Sequence, residues 1–222
     1  MSNPSVDELK NSDDYELLAE LDHRKIKSFV IEQITLGSRL IMGFMIYQAL
    51  MILTGLFFTT RPLVLAIRGN FEPLFQVLGA MIFSFTLLII IHELLHLLAL
   101  KFTGAPRITM GGYLKKFIFY AEADRHVLNR KQYAFVALTP LVVVKVVSLT
   151  AIIFTVGHPA CYFWIFVMSV HSLFCAGDIG MLAFFERFQG TEVYTFDVKE
   201  SKRSYFYKKK AVHPNAMQED DQ

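Results

Sequence analysis

The sequence predicts an all-α polytopic membrane protein: a bundle of four transmembrane helices with a small cytoplasmic β-hairpin. Two observations carry this. The chain is 54% hydrophobic, with 21 phenylalanines in 222 residues, above the roughly 45–50% of ordinary soluble domains, although both of its ends are densely charged. Its apolar residues are also gathered into four runs, 40–60, 74–100, 134–156 and 160–185, each meeting the roughly 20 residues that a helical span requires. Helices follow because in hydrocarbon only helices and closed barrels satisfy their own backbone groups.

In chain order, residues 1–35 form a cytoplasmic N-terminal segment, polar at first. Its stretch Tyr15-Glu16-Leu17-Leu18-Ala19-Glu20-Leu21 reads as an amphipathic, solvated helix. No cleavable signal is visible, so the first apolar run, between Arg39 and Arg61, is expected to insert uncleaved. Residues 36–187 form the four-span membrane domain. Between its second and third runs, Gly111-Gly112 stands among β-favouring residues from Arg107 to Ala121 and signals the hairpin. Gly157-His158-Pro159 is a tight turn joining the third and fourth runs. Residues 188–222 form a cytoplasmic basic tail. Within it, residues 199–210 interleave cations with Tyr205, Phe206 and Tyr207, and the expected partner is the anionic inner leaflet rather than nucleic acid. Residues 217–222 are acidic and expected to be disordered.

Lysine and arginine set the orientation. Five precede the first run, two lie between the first and second, seven lie between 101 and 133, none is in the Gly157 turn and seven follow 186. Both termini and the central loop are therefore expected in the cytoplasm, with the chain in the cell (inner) membrane. Cys161 and Cys175 both fall in the fourth apolar stretch, and neither a disulfide framework nor a C-x-x-C metal knuckle is expected.

The second run contains His92-Glu93-Leu94-Leu95-His96, the HExxH arrangement. With 7 histidines in this chain, chance would produce it about 1% of the time. Positions i and i+4 share a helix face, so His92 and His96 can present two imidazoles to one zinc ion. Glu93 lies beside the first ligand, placed to accept a proton from water. At 1.5 Å per residue, His96 and His92 lie about 7 and about 13 Å below the boundary at Lys101, and Asp178 lies about 13 Å below the same surface on the returning fourth span. Asp178 is the only acid inside that span, and its small neighbours Gly177 and Gly180 allow close helix approach. It is the candidate third ligand.

Alternatives remain open at this level. Asp178 could pair instead with Lys145, the only basic residue inside the third span, which could also balance charge or polarise a carbonyl. His171, two turns before Asp178, could be a supporting partner, an alternative ligand or a hydrogen-bonded core histidine. His23, His126, His158 and His213 lie in tails and loops without helical registration to the motif.

HExxH in a second span, Ala137-Leu138-Thr139-Pro140 opening the third, and Gly177-Asp178 in the fourth resemble the small integral-membrane zincin peptidases of bacteria. More distantly the pattern is similar to site-two intramembrane metalloproteases. It departs from these in carrying Gly177-Asp178-Ile179-Gly180 where they have Asn-x-x-Pro-Asp-Gly. The resemblance implies zinc on His92, His96 and Asp178, with Glu93 as base. The expected function is a membrane-embedded zinc metallopeptidase that hydrolyses peptide or membrane-protein substrates near the cytoplasmic face, with the hairpin available to pair with an extended substrate. The alternative is a non-proteolytic metal-binding membrane protein, a sensor, transporter subunit or assembly partner. A di-iron carboxylate bundle would require more inward glutamates than Glu93 alone.

Overall fold

The structure, a computed structural model, describes residues 3–113 and 118–210. The acidic end at 217–222 and His213 lie outside the described residues. In order, the elements are α1 (Val6–Leu9), β1 (Tyr15–Asp22), a 3-10 turn (His23–Lys25), α2 (Ile26–Leu36), α3 (Arg39–Ile67), α4 (Glu72–Phe85), α5 (Leu87–Phe102), β2 (Ile108–Tyr113), β3 (Ile118–Ala123), β4 (Leu128–Asn129), α6 (Arg130–Phe154), α7 (Ala160–Phe174), α8 (Ala176–Glu186), β5 (Val193–Val198) and β6 (Arg203–Lys209). The protein is mostly helical.

Helices α3 and α6 are each long and apolar enough to cross a membrane alone. The second and fourth apolar runs are not single helices. Each is a bent pair, α4 with α5 at 46° and α7 with α8 at 43°, so the count is two spans, or four if each bent pair is one. The first break has a local cause. Thr86 leaves the helical region (φ −124, ψ −86), and its hydroxyl donates to the Ile82 carbonyl at 2.7 Å. Serine and threonine near a helix break commonly supply such substitute bonds. At the second break Cys175 caps α7, and its thiol lies 3.5 Å from the His171 carbonyl.

The outer faces are apolar: Met42, Met45, Ile46, Leu53 and Phe57 on α3 are all exposed, as are Leu87, Ile90, Leu94 and Leu98 on α5. Such a surface suits lipid. The helices approach closely at glycines: a Cβ on Gly55 of α3 would stand 2.9 Å from Ser169 Cβ, and one on Gly180 of α8 would stand 2.6 Å from Val30 Cγ1 of α2.

The flanks and the central loop build more sheet than the sequence suggests. Four strands pair antiparallel in the order β1-β6-β5-β4, while β2 and β3 form the separate hairpin. The expected solvated helix at Tyr15 is strand β1. Its leucines have helix-like spacing, but a bulge between Leu17 and Ala19 shifts the register, so Leu18, Ala19 and Leu21 all reach the core. The basic stretch is strand β6, whose Phe206 is fully buried. Its cations pair across strands: Lys208 with Glu16 at 3.0 Å, Lys209 with Glu192 at 3.6 Å, and Arg203 with Glu20. In the hairpin Gly111 and Gly112 pair with Tyr120 and Phe119. They are strand residues rather than the turn, and the connection at 114–117 lies outside the described residues.

An aromatic cluster ties the sheet to the helices. Phe184 and Phe185 of α8 contact Phe206 of β6 with ring centroids 4.9 and 5.7 Å apart, Phe29 of α2 lies 5.3 Å from Phe184, and Tyr133 of α6 stacks on Phe185 at 4.7 Å. Gly180→Ala should therefore destabilise the protein by about 1–3 kcal/mol, because the β-branched, buried Val30 cannot swing aside. Gly43→Ala, with open space at its Cβ, should be neutral or slightly stabilising. Thermal unfolding in detergent compares them, and equal melting temperatures would contradict the close α2–α8 packing.

Candidate metal centre and its cavity

Helix α5 buries Leu88, His92, Glu93, His96, Ala99 and Leu100, a stripe at three- and four-residue spacing that faces inward while Leu87, Ile90, Leu94 and Leu98 face out. Helix α8 carries Asp178 in its first turn, where the N-terminal end of the helix dipole favours a carboxylate. The side chains that the depth argument put in one layer lie together. His92 Nε2 is 3.2 Å from Asp178 Oδ2, and His96 Nε2 is 3.2 Å from Asp178 Oδ1. The two imidazole Nε2 atoms are 3.1 Å apart. Glu93 is buried, and its Oε2 has no hydrogen-bond partner among the described residues.

The far sides of both rings are held. His96 Nδ1 lies 3.0 Å from the Val136 carbonyl of α6. A carbonyl only accepts, so Nδ1 carries the proton and, in the neutral ring, Nε2 is a bare lone pair. His92 Nδ1 lies 3.1 Å from His171 Nε2, and the other His171 nitrogen lies 3.8 Å from Cys175 Sγ. Among the described residues two groups of potential ligand atoms result, both including His92: one with His96 and Asp178, the other with His171 and Cys175.

Lys145 is elsewhere. It donates to the Met168 carbonyl of α7, lies 3.5 Å from Met51 Sδ, and sits 5.4 Å from the Tyr47 ring centroid. The pairing with Asp178 weighed from the sequence is not among the described ion pairs, because the ammonium is already held by a carbonyl and an aromatic face. Neither Lys145 nor His171 lines the cavity that His92, Glu93, His96 and Asp178 open into.

That cavity, about 220 Å³, runs from the helices to the sheet. Its wall on the side of the sheet contains residues that the sequence reading set aside, His23 and His126, together with Asp197 and Ser204. Ser204 donates to Asp197 Oδ1 at 2.6 Å, which leaves His23 Nε2, 3.1 Å away, to donate to the serine oxygen. Glu122 Oε2 lies 3.8 Å from His23 Nδ1. His126 Nε2 is 3.1 Å from the Thr103 hydroxyl, and its pKa is lowered by burial. No periodicity could find these groups. They come from segments far apart in sequence, brought together by strand pairing, by the parallel bridge between Asp124 and Asp197, and by the Arg125 N–H donating to the Asp197 carbonyl at 2.8 Å. Among the described residues, no lysine or arginine lines the cavity.

Residues 85–190 match the family described as "Putative zincin peptidase". This is the family that the HExxH motif, the Thr139-Pro140 pair and Gly177-Asp178 resemble. The matched stretch runs from the end of α4 to just beyond α8, so it contains α5, the hairpin, α6, α7, and every one of His92, Glu93, His96, His171 and Asp178. The zincin description suggests a metallopeptidase and implies a zinc cofactor in general. No curated protein and no solved structure matches the chain.

Burial, and then the Asp197 carboxylate, raise the pKa of Glu122, against the opposing pull of Thr109, His23 and Lys199. An acid with a raised folded-state pKa contributes stability while protonated and loses it as pH rises through that value. Replacing Glu122 by glutamine removes this loss. The melting temperature of Glu122→Gln relative to wild type should therefore climb as the pH is raised above the ordinary glutamate range near about 4. A difference that stays flat as the pH rises would show Glu122 to be ordinarily ionised.

Proposed function

We propose that the chain is a zinc-dependent metallopeptidase of the cell (inner) membrane that cleaves peptide bonds near the cytoplasmic face, with His92, His96 and Asp178 as ligands and Glu93 as general base. The observation that carries this reading is the convergence of two imidazole Nε2 atoms and one carboxylate within about 3.2 Å of one another beside a buried glutamate. The donor set fits a metal ion. Two imidazole lone pairs at 3.1 Å repel unless a proton or a cation lies between them, and among the described residues no donor is aligned on Asp178 Oδ2. Two imidazoles and a carboxylate are a normal catalytic zinc set.

His171 fits a supporting role. If His92 donates from Nδ1 to His171 Nε2, its own Nε2 is left bare toward Asp178, and His171 turns its remaining N–H toward Cys175. The competing group of His92, His171 and Cys175 is supported less, because neither His171 nor Cys175 lines the cavity that a substrate would enter.

Zinc held there would supply a Lewis acid and lower the pKa of a water toward about 7. Glu93 lines the cavity with an unpaired carboxylate oxygen. It would take the proton from attacking water and pass it to the leaving amide nitrogen. Leu100, Val136, Ala137 and Phe174 give the cavity apolar walls beside these groups. A substrate must enter extended, since a helix hides its carbonyls, and the β2–β3 hairpin packed on α5 offers strand pairing. Orientation is supported by the sheet, which joins both flanks and β4 of the central loop on one side, and by the cation-rich sequence of those same segments.

Glu93→Gln should retain zinc and lose turnover of a quenched fluorescent peptide by about 100-fold or more, while Asp178→Ala should lose most of its zinc by elemental analysis. Full activity in Glu93→Gln would move support to a non-proteolytic metal-binding protein. Full occupancy in Asp178→Ala would remove it from the ligand set.

A further inference from the structure

In an α-helix each carbonyl accepts from the N–H four residues on. For Val136 in α6 that residue is Pro140, which has no N–H. Pro140 is fully buried inside a helix that continues from Arg130 to Phe154, so the proline does not end the span. What it changes locally is one acceptor, and that acceptor is the one facing His96 Nδ1 at 3.0 Å. The neighbouring hydroxyl does not compete for it: Thr139 Oγ1 donates instead to the Phe135 carbonyl at 2.6 Å.

We propose that Pro140 is a positioning residue of the metal centre. By withholding an N–H it leaves the Val136 carbonyl directed at His96, and that bond holds His96 in the Nδ1–H tautomer with Nε2 bare toward His92 and Asp178. The inference rests on the reading of His96 as a ligand. An N–H at position 140 would occupy the Val136 oxygen along the helix axis. His96 would then share a bifurcated acceptor or turn away, and Nε2–H, the tautomer that cannot bind a metal through Nε2, would become populated. Supporting bonds of this kind to metal-bound histidines govern affinity by about 10–100-fold.

The test compares full-length wild type with Pro140→Ala in lipid nanodiscs. The tautomer of His96 is read by side-chain ¹⁵N NMR on metal-free protein, and zinc affinity by competition with a chromophoric chelator. Wild type should show a protonated Nδ1 and an unprotonated Nε2. Pro140→Ala should mix the tautomers and weaken zinc binding about tenfold, with a melting temperature equal to or above wild type, because an interior proline is removed. Weaker zinc binding with an unchanged tautomer would assign Pro140 to packing and overturn the proposal. So would unchanged zinc affinity, or an Nε2–H tautomer in wild type. These readouts need no turnover. A protein that shows the expected tautomer and affinity changes yet cleaves no peptide would count against the peptidase reading alone.

Discussion

Ionisable side chains are tolerable among lipid-facing helices only when their polar atoms face one another or an available backbone acceptor. The architecture follows from that constraint. His96 takes the carbonyl that Pro140 leaves open, His92 takes His171, and the two remaining Nε2 atoms turn toward Asp178. Both bent helix pairs break close to the site, at Thr86 six residues before His92 and at Cys175 three residues before Asp178. A straight helix would spend every backbone group on itself. The irregular ones turn hydroxyl, thiol and carbonyl groups to other uses.

The four-stranded sheet is part of the same construction. Helix α8 has only 11 residues, too few to fix Asp178 by its own length. It is held at its far end by Phe184 and Phe185 packed on Phe206, Phe29 and Tyr133, and on its side by the Gly180–Val30 approach. The N-terminal segment and the strands that follow α8 thus form the wall against which the aspartate-bearing helix rests. They also complete the cavity, with His23 on one segment and Asp197 and Ser204 on the other.

Much of this was legible in the sequence because its signals are local. Apolar run length gave four stretches that correspond to α3, α4 with α5, α6, and α7 with α8. The i, i+4 spacing put His92 and His96 on one face, and depth counted from Lys101 and Arg187 singled out Asp178. What was hidden is non-local or backbone-borne. The spacing of Leu17, Leu18 and Leu21 imitates a helix because a bulge inserts one extra residue into β1. Cations of β6 are paired with Glu16 and Glu20 of β1, nearly two hundred residues earlier in the chain, which no local pattern of charges reveals. His23 and Glu122 are 99 residues apart in sequence, and only the tertiary fold, which sets the separate β2–β3 hairpin against the end of β1, brings them to 3.8 Å.

The central claim is that the ion sits between His92, His96 and Asp178 rather than on the other side of His92. Zinc-edge X-ray absorption on the loaded wild-type protein separates the two directly, since zinc–sulfur bonds near about 2.3 Å differ from zinc–nitrogen and zinc–oxygen bonds near about 2.0–2.2 Å. The predicted spectrum contains only nitrogen and oxygen neighbours, two of them imidazole, and is unchanged in Cys175→Ser. A sulfur neighbour that disappears in Cys175→Ser would place the ion on His92, His171 and Cys175 and contradict the account.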